Sequence, residues 1–172
     1  MQSEWQKFMA RYTESVKLTT QFDPLWPSPC INESIEALTE GQEVTWTPIA
    51  RPVDDMSEFG RALDLDLSAP LLEFYAAFYA EHLEVTINQG KITLLQAWNE
   101  EDFERLQENL IGHVLMKRRL KQADTLFIGL PENDNYLISV LMSTGEVMLE
   151  PVGKEPTEVI SPSLTHFFES LC

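Results

Sequence analysis

Three histidines, two cysteines and 28 carboxylates are the side chains that could carry chemistry in this chain of 172 residues. His82, His113 and His166 stand apart from one another. None sits in an H-E-x-x-H pattern, and none lies four residues from a second ligating group. There is no G-x-S-x-G elbow and no glycine loop able to cradle a phosphate. Cys30 falls in a proline-rich loop with no base beside it in sequence, so it reads as a buried structural thiol. Cys172 is far from it, and neither forms a C-x-x-C pair, so both are expected to be reduced. The adjacent pairs Asp54-Asp55 and Glu100-Glu101 keep a paired-carboxylate hydrolase open as a reading, although so many acids make such pairs by abundance alone. The D-x-D-x-D-G loop that holds calcium is missing. Asp64-Leu-Asp66 comes nearest to it and puts both acids on one face only if the chain is extended there. The residues therefore point to no metal, no cofactor and no catalytic role.

The acids make better sense as a surface. Net charge is −16, which opposes binding to nucleic acid or anionic lipid and favours a basic partner. Residues 51–110 hold 13 acids against 4 bases. Within them Glu100, Glu104 and Glu108 recur every four residues and form a ridge on one helix face. Glu101 is placed to pair with Arg105 and offset part of the repulsion. Acids at a helix start and the run Lys117-Arg-Arg119 at its end also suit any helix dipole, so the ridge has a purely structural explanation as well. Asp64, Asp66, Glu100, Glu101, Glu104 and Glu108 are the candidate partner-binding residues. The expectation is that these central carboxylates gather on one side of the fold.

The elements that must position them follow from periodicity. Residues 3–18 read as an amphipathic helix in which Trp5, Phe8, Met9, Tyr12 and Val16 share one face by helical spacing. Three prolines between Asp23 and Cys30 impose an extended loop, pinned by Trp26. A strand is predicted over 43–48, and a short helix near Met56, Phe59 and Leu63 with acids at its start. Ser68-Ala-Pro70 caps a helix expected to run through Glu81, burying Leu71, Phe74, Tyr75, Phe78 and Tyr79. Strands over 83–90 and 91–96 form a hairpin. Asn99 then caps a helix to about Lys121, with Asp102 in the capping-box position. Strands over 125–130, 136–142 and 147–152 form a meander, and Ser161-Pro162 opens a last helix. The fold class is α+β: a single domain over 1–172, a mostly antiparallel sheet flanked by helices. The start Met-Gln-Ser-Glu-Trp lacks the basic and apolar regions of a signal peptide, and the most apolar stretch, 69–80, is about half a membrane span, so a cytoplasmic protein is expected.

The run Ile92-Thr-Leu-Leu-Gln-Ala-Trp98-Asn-Glu-Glu-Asp102-Phe-Glu-Arg105-Leu-Gln-Glu-Asn109-Leu-Ile-Gly-His113 resembles the central signature of the Syd family, the SecY-interacting proteins. Lys117-Arg-Arg-Leu-Lys121 and Thr125-Leu-Phe-Ile128 continue it, Pro27-Ser-Pro-Cys30-Ile matches a second block, and 139–146 a third more loosely. The resemblance implies an SMI1/KNR4-like (SUKH) fold and a non-catalytic regulatory protein. Such a protein binds the protein-translocation channel SecY from the cytoplasmic side, recognising or titrating unassembled SecY. It also implies a peripheral place at the inner membrane, held through SecY. An immunity-type protein of the same fold, neutralising a basic toxin, is the alternative binding reading.

Overall fold

The computed structural model describes residues 1–171; Cys172 lies outside the described residues. Helix α1 (Glu4–Ser15) starts at a reciprocal cap: Gln6 N–H donates to Ser3 Oγ at 3.2 Å and Ser3 N–H to Gln6 Oε1 at 3.0 Å. It buries Trp5, Phe8, Met9 and Tyr12 as its spacing predicts, but Val16, the fifth residue of that stripe, is the extended C-cap and is exposed. Two short ribbons follow. Strand β1 (Thr19–Gln21) pairs with β2 (Glu43–Thr45), and β3 (Ile49–Ala50) pairs with β4 (Phe78–Tyr79), both antiparallel. Between β3 and β4 lie α2 (Ser57–Leu63) and α3 (Ala69–Ala76).

The remaining strands build one antiparallel sheet. They are β5 (Leu83–Ile87), β6 (Gly90–Leu94), β7 (Thr125–Pro131), β8 (Tyr136–Leu141), β9 (Val147–Pro151) and β10 (Glu158–Ser161), in the order β10-β9-β8-β7-β6-β5. Within this sheet, sequence neighbours are therefore always spatial neighbours. The long helix α4 (Glu100–Arg119) bridges β6 and β7, and α5 (Leu164–Ser170) follows β10. Alternation splits the sheet into two faces. Leu126, Ile138, Val140 and Val147 join the apolar core, in which Trp5 packs on Phe8, Phe74 and Phe168 at ring separations of 5.4, 4.9 and 4.8 Å. Thr125, Ser139 and Glu150 are tied instead to the polar groups under α4. The architecture is the α+β arrangement expected.

Several local details differ from the sequence-based reading. The helix predicted through Glu81 stops at Ala76, and Phe78–Tyr79 becomes β4. The backbone there finds better partners across space: Arg51 N–H donates to Ala77 O and Ala80 N–H to Ala97 O, both at 2.9 Å. The two aromatic residues also suit a pleated strand. Asp102 does not reach back to the cap residue itself but accepts from Trp98 N–H at 2.8 Å, one residue earlier, while Asn99 Oδ1 accepts from Asp102 N–H. Strands β1 and β10 carry too little alternation to be read. Lys117, read only as one of the cations that suit the end of α4, is fully buried.

Candidate functional site

Two of the six candidate acids, Glu100 and Glu104, line a groove where the start of α2 lies beside the first half of α4. Two Asx turns shape the approach: Asp54 Oδ1 accepts from Met56 N–H at 2.7 Å, and Asp55 Oδ1 from Ser57 N–H at 3.0 Å. They set Met56 in a left-handed conformation (φ 49°) with its side chain inside. Met56, Phe59 and Leu63 then fasten α2 to the core, and its polar face turns outward beside α4.

Between them lies a groove of about 430 Å³, lined by Asp54, Asp55, Glu58, Glu100 and Glu104 over a floor that includes Met56 and Phe103. A second depression of about 370 Å³ shares Asp55, Met56 and Ser57 with it and adds Asp64 and Asp66. Asp64, Asp66, Glu100 and Glu104 are thus brought into two adjoining hollows. Glu101 and Glu108 are exposed on α4 but line neither. Nor does Glu101 pair with Arg105, whose guanidinium lies 4.9 Å over the Trp26 ring instead. An exposed helical ion pair is worth a few tenths of a kcal/mol, and a ring face competes well with that. Asp54, Asp55 and Glu58 are the lining residues that sequence reasoning passed over. Their role as helix-start acids explained them too easily, and the excess of 13 acids over 4 bases in residues 51–110 was the signal that included them.

One cation sits beside the groove, against its lining residues Glu100 and Phe103. The Arg51 guanidinium is sandwiched 4.3 Å from the Tyr79 ring and 4.4 Å from the Phe103 ring. Its Nη2 is 3.6 Å from Glu100 Oε2, and Tyr79 O–H donates to the same oxygen. Burial and that bond raise the Tyr79 phenol above its ordinary range, so it remains a donor. Glu100 is therefore held in place, whereas Asp54, Asp55, Glu58 and Glu104 make no ion pair with any described side chain. The second hollow is less negative, because Arg61 lines it and Arg118 feels the Asp64 charge.

A second cluster of titratable groups is sealed under α4. Glu150, fully buried, accepts from Ser139 Oγ at 3.0 Å and lies 3.6 Å from Lys117 Nζ and 3.5 Å from His113 Nε2. Lys117 donates to Lys154 O at 2.6 Å, and His113 Nε2 meets Thr125 Oγ1 at 2.9 Å. Burial, with help from Lys117, pushes the His113 pKa below its ordinary value against the opposing pull of Glu150. Lys117, Thr125, Ser139 and Glu150 have no exposed surface, so this cluster is a structural tie between helix and sheet. Cys30 is likewise inside: its thiol donates to Tyr79 O at 3.1 Å, and burial raises its pKa, which makes it a poor nucleophile. Among the described residues no three His, Cys, Asp or Glu side chains are grouped to hold a metal ion, and no helix is long and apolar enough to cross a membrane.

This fold, an antiparallel six-stranded meander with an acidic groove at the α2–α4 junction, can be set beside known proteins. A family profile described as Syd protein (SUKH-2) matches residues 2–172. The chain is similar to Protein Syd of Pseudoalteromonas atlantica, 40% identical over 170 residues, covering 95% of this chain and 91% of that one. It is similar to Protein Syd of Alteromonas mediterranea, 43% identical over 169 residues, with 96% and 92% covered. Protein Syd of Klebsiella pneumoniae is 40% identical over 146 residues, with 84% and 78% covered. The chain belongs to the Syd family.

Proposed function

We propose that this chain is a non-catalytic regulatory protein that docks, through the acidic hollows at the α2–α4 junction, on the basic cytoplasmic loops of SecY, recognising or titrating unassembled channel. The observation that carries the reading is the convergence of Asp54, Asp55, Glu58, Glu100 and Glu104 on one groove, with Asp64 and Asp66 beside it. Cytoplasmic loops of membrane proteins are rich in Lys and Arg. Acidic hollows attract such loops, while the chain's −16 charge keeps it off the anionic lipid around them. The protein then stands in the cytoplasm and reaches the membrane only through its partner. Glu101 and Glu108, on the neighbouring turns of α4, contribute to the field and not to the lining.

The test is the affinity of the intact protein for SecY in lipid nanodiscs, measured by fluorescence titration. Reversal of Glu100, Glu104 and Glu108 to Lys is expected to weaken binding by about tenfold or more, at the scale of rim charge pairs worth up to ~1 kcal/mol each. Wild-type affinity is expected to fall as salt rises. Unchanged affinity in the triple variant overturns the reading.

A further inference from the structure

A cavity of about 480 Å³ opens on the other side of the first turn of α4, where Asp102 projects roughly opposite Glu100 and Glu104. Its lining has the makings of an aromatic box: Trp26, Trp46, Trp98 and Tyr12 stand beside Glu81, Glu84 and Asp102, and the one Lys or Arg among the lining residues is Lys17. We infer that this cavity takes one cationic side chain, an arginine or lysine, presented by a bound polypeptide. The inference deepens the docking reading above and rests on it for the origin of that polypeptide.

Hydrogen-bonding capacity argues for a cation. Each carboxylate uses one oxygen inside the protein: Glu81 accepts from Thr20 Oγ1, Glu84 from Thr93 Oγ1 and Asp102 from Trp98 N–H. The second oxygen of each makes no hydrogen bond with a described residue. Gln96, 3% exposed, also lines the cavity. Its Nε2 donates to Phe74 O and Leu95 O, which fixes the orientation of the amide, and its Oε1 has no partner among the described residues. An unpaired buried acceptor among carboxylates favours a donor-only group, and ammonium and guanidinium are the side chains that accept nothing. His82 adds one complementary donor. Its Nδ1 accepts from Gln96 N–H at 3.0 Å, so the proton of the neutral ring is on Nε2, free for a backbone carbonyl of the bound chain. Indole faces attract cations, and Arg105 already lies over Trp26 in this way. An anion meets three carboxylates here, and an apolar ligand covers them while leaving Oε1 unpaired.

The probes are N-acetyl-arginine amide, N-acetyl-lysine amide and the neutral isostere N-acetyl-citrulline amide, titrated into the full chain while the four tryptophan indole N–H signals are followed by NMR. The two cationic probes are expected to shift Trp26, Trp46 and Trp98 saturably, citrulline to do so at least about tenfold more weakly, and Trp5, in the core, to stay still. Replacing Glu81→Gln with Glu84→Gln keeps an acceptor for Thr20 and Thr93 and is expected to weaken the cationic probes about tenfold. The pair Glu100→Gln with Glu104→Gln leaves this titration unchanged even where it weakens SecY binding, so the two readings fail separately. Equal binding of citrulline, no shift at the three tryptophans, or indifference to the Glu81 and Glu84 changes overturns the inference.

Discussion

Lys117 and Glu150 provide the sharpest energetic test of the fold. Both side chains are wholly inaccessible to solvent, so no discount for screening applies. Lys117→Met keeps the aliphatic stem and removes the ammonium, leaving Glu150 with Ser139 Oγ and, 3.5 Å away, His113 Nε2. An uncompensated buried charge costs about 3–5 kcal/mol. Against a total of about 5–15 kcal/mol for a domain, that is about a fifth of the stability or more, equivalent to a fall in Tm of about 6–20 °C. Glu150→Gln alone strands the ammonium on Lys154 O and is expected to cost a similar amount. The double variant, Lys117→Met with Glu150→Gln, removes both charges while the new side-chain amide still accepts from Ser139, so its loss should be smaller than the sum by about 2 kcal/mol or more. Urea unfolding followed by tryptophan fluorescence reads all three, provided the m-value stays constant. Additive losses, or a cost below about 1 kcal/mol for Lys117→Met, refute the claim that the pair ties α4 to β9.

Three further outcomes follow from the same geometry. Gly60→Ala places a Cβ 2.7 Å from Leu65 O, a backbone atom with nowhere to go, and is expected to destabilise by about 1–3 kcal/mol in the same urea assay. His113 has a folded pKa below the ordinary 6.5, so the unfolded chain takes up the proton first and stability falls as pH drops through about 6.5. His113→Gln is expected to flatten that part of the stability profile between pH ~7 and the lower folded pKa. In a Cys172→Ser background, Cys30 should react with a thiol reagent only as fast as the protein unfolds, because it is buried and its pKa is raised.

Much of the architecture could be read from local patterns because local rules decide it. Ser68 and Asn99 cap the helices that their positions predict, and the alternation of 83–87 and 136–141 marks strands of the meander. The misses share a different cause. Phe78 and Tyr79 continue a helical apolar stripe in sequence, yet the chain leaves the helix because Ile49 and Ala50, almost thirty residues earlier, offer backbone partners. Lys117 looks like a helix-end cation until Glu150, from β9, appears beneath it. The grouping of Glu100 and Glu104 was visible as a four-residue spacing, but the approach to α2 that completes the groove was not, since nothing local says that residues 54–58 lie beside residues 100–107.

The placement of Arg51 shows why the acidic groove need not cancel itself. A cation beside five carboxylates would ordinarily spoil an attractive surface, yet the Arg51 guanidinium is held between two rings and its one ion pair among the described residues is with Glu100. It fixes one acid, links α4 to the β3–β4 ribbon through Tyr79, and leaves Asp54, Asp55, Glu58 and Glu104 with no described cation paired to them. Arg51→Met therefore separates scaffold from field. The variant loses a unit of positive charge beside the groove, so a basic peptide should associate faster at low salt, while the lost ion pair to Glu100 and the lost stacking should lower stability by about 1–2 kcal/mol. Stopped-flow association with a fluorescent oligolysine peptide and urea unfolding measure the two effects independently. Slower association in Arg51→Met, with the fold intact, would mean that the groove's order and not its charge governs encounter, and the electrostatic account of docking would fail at that point.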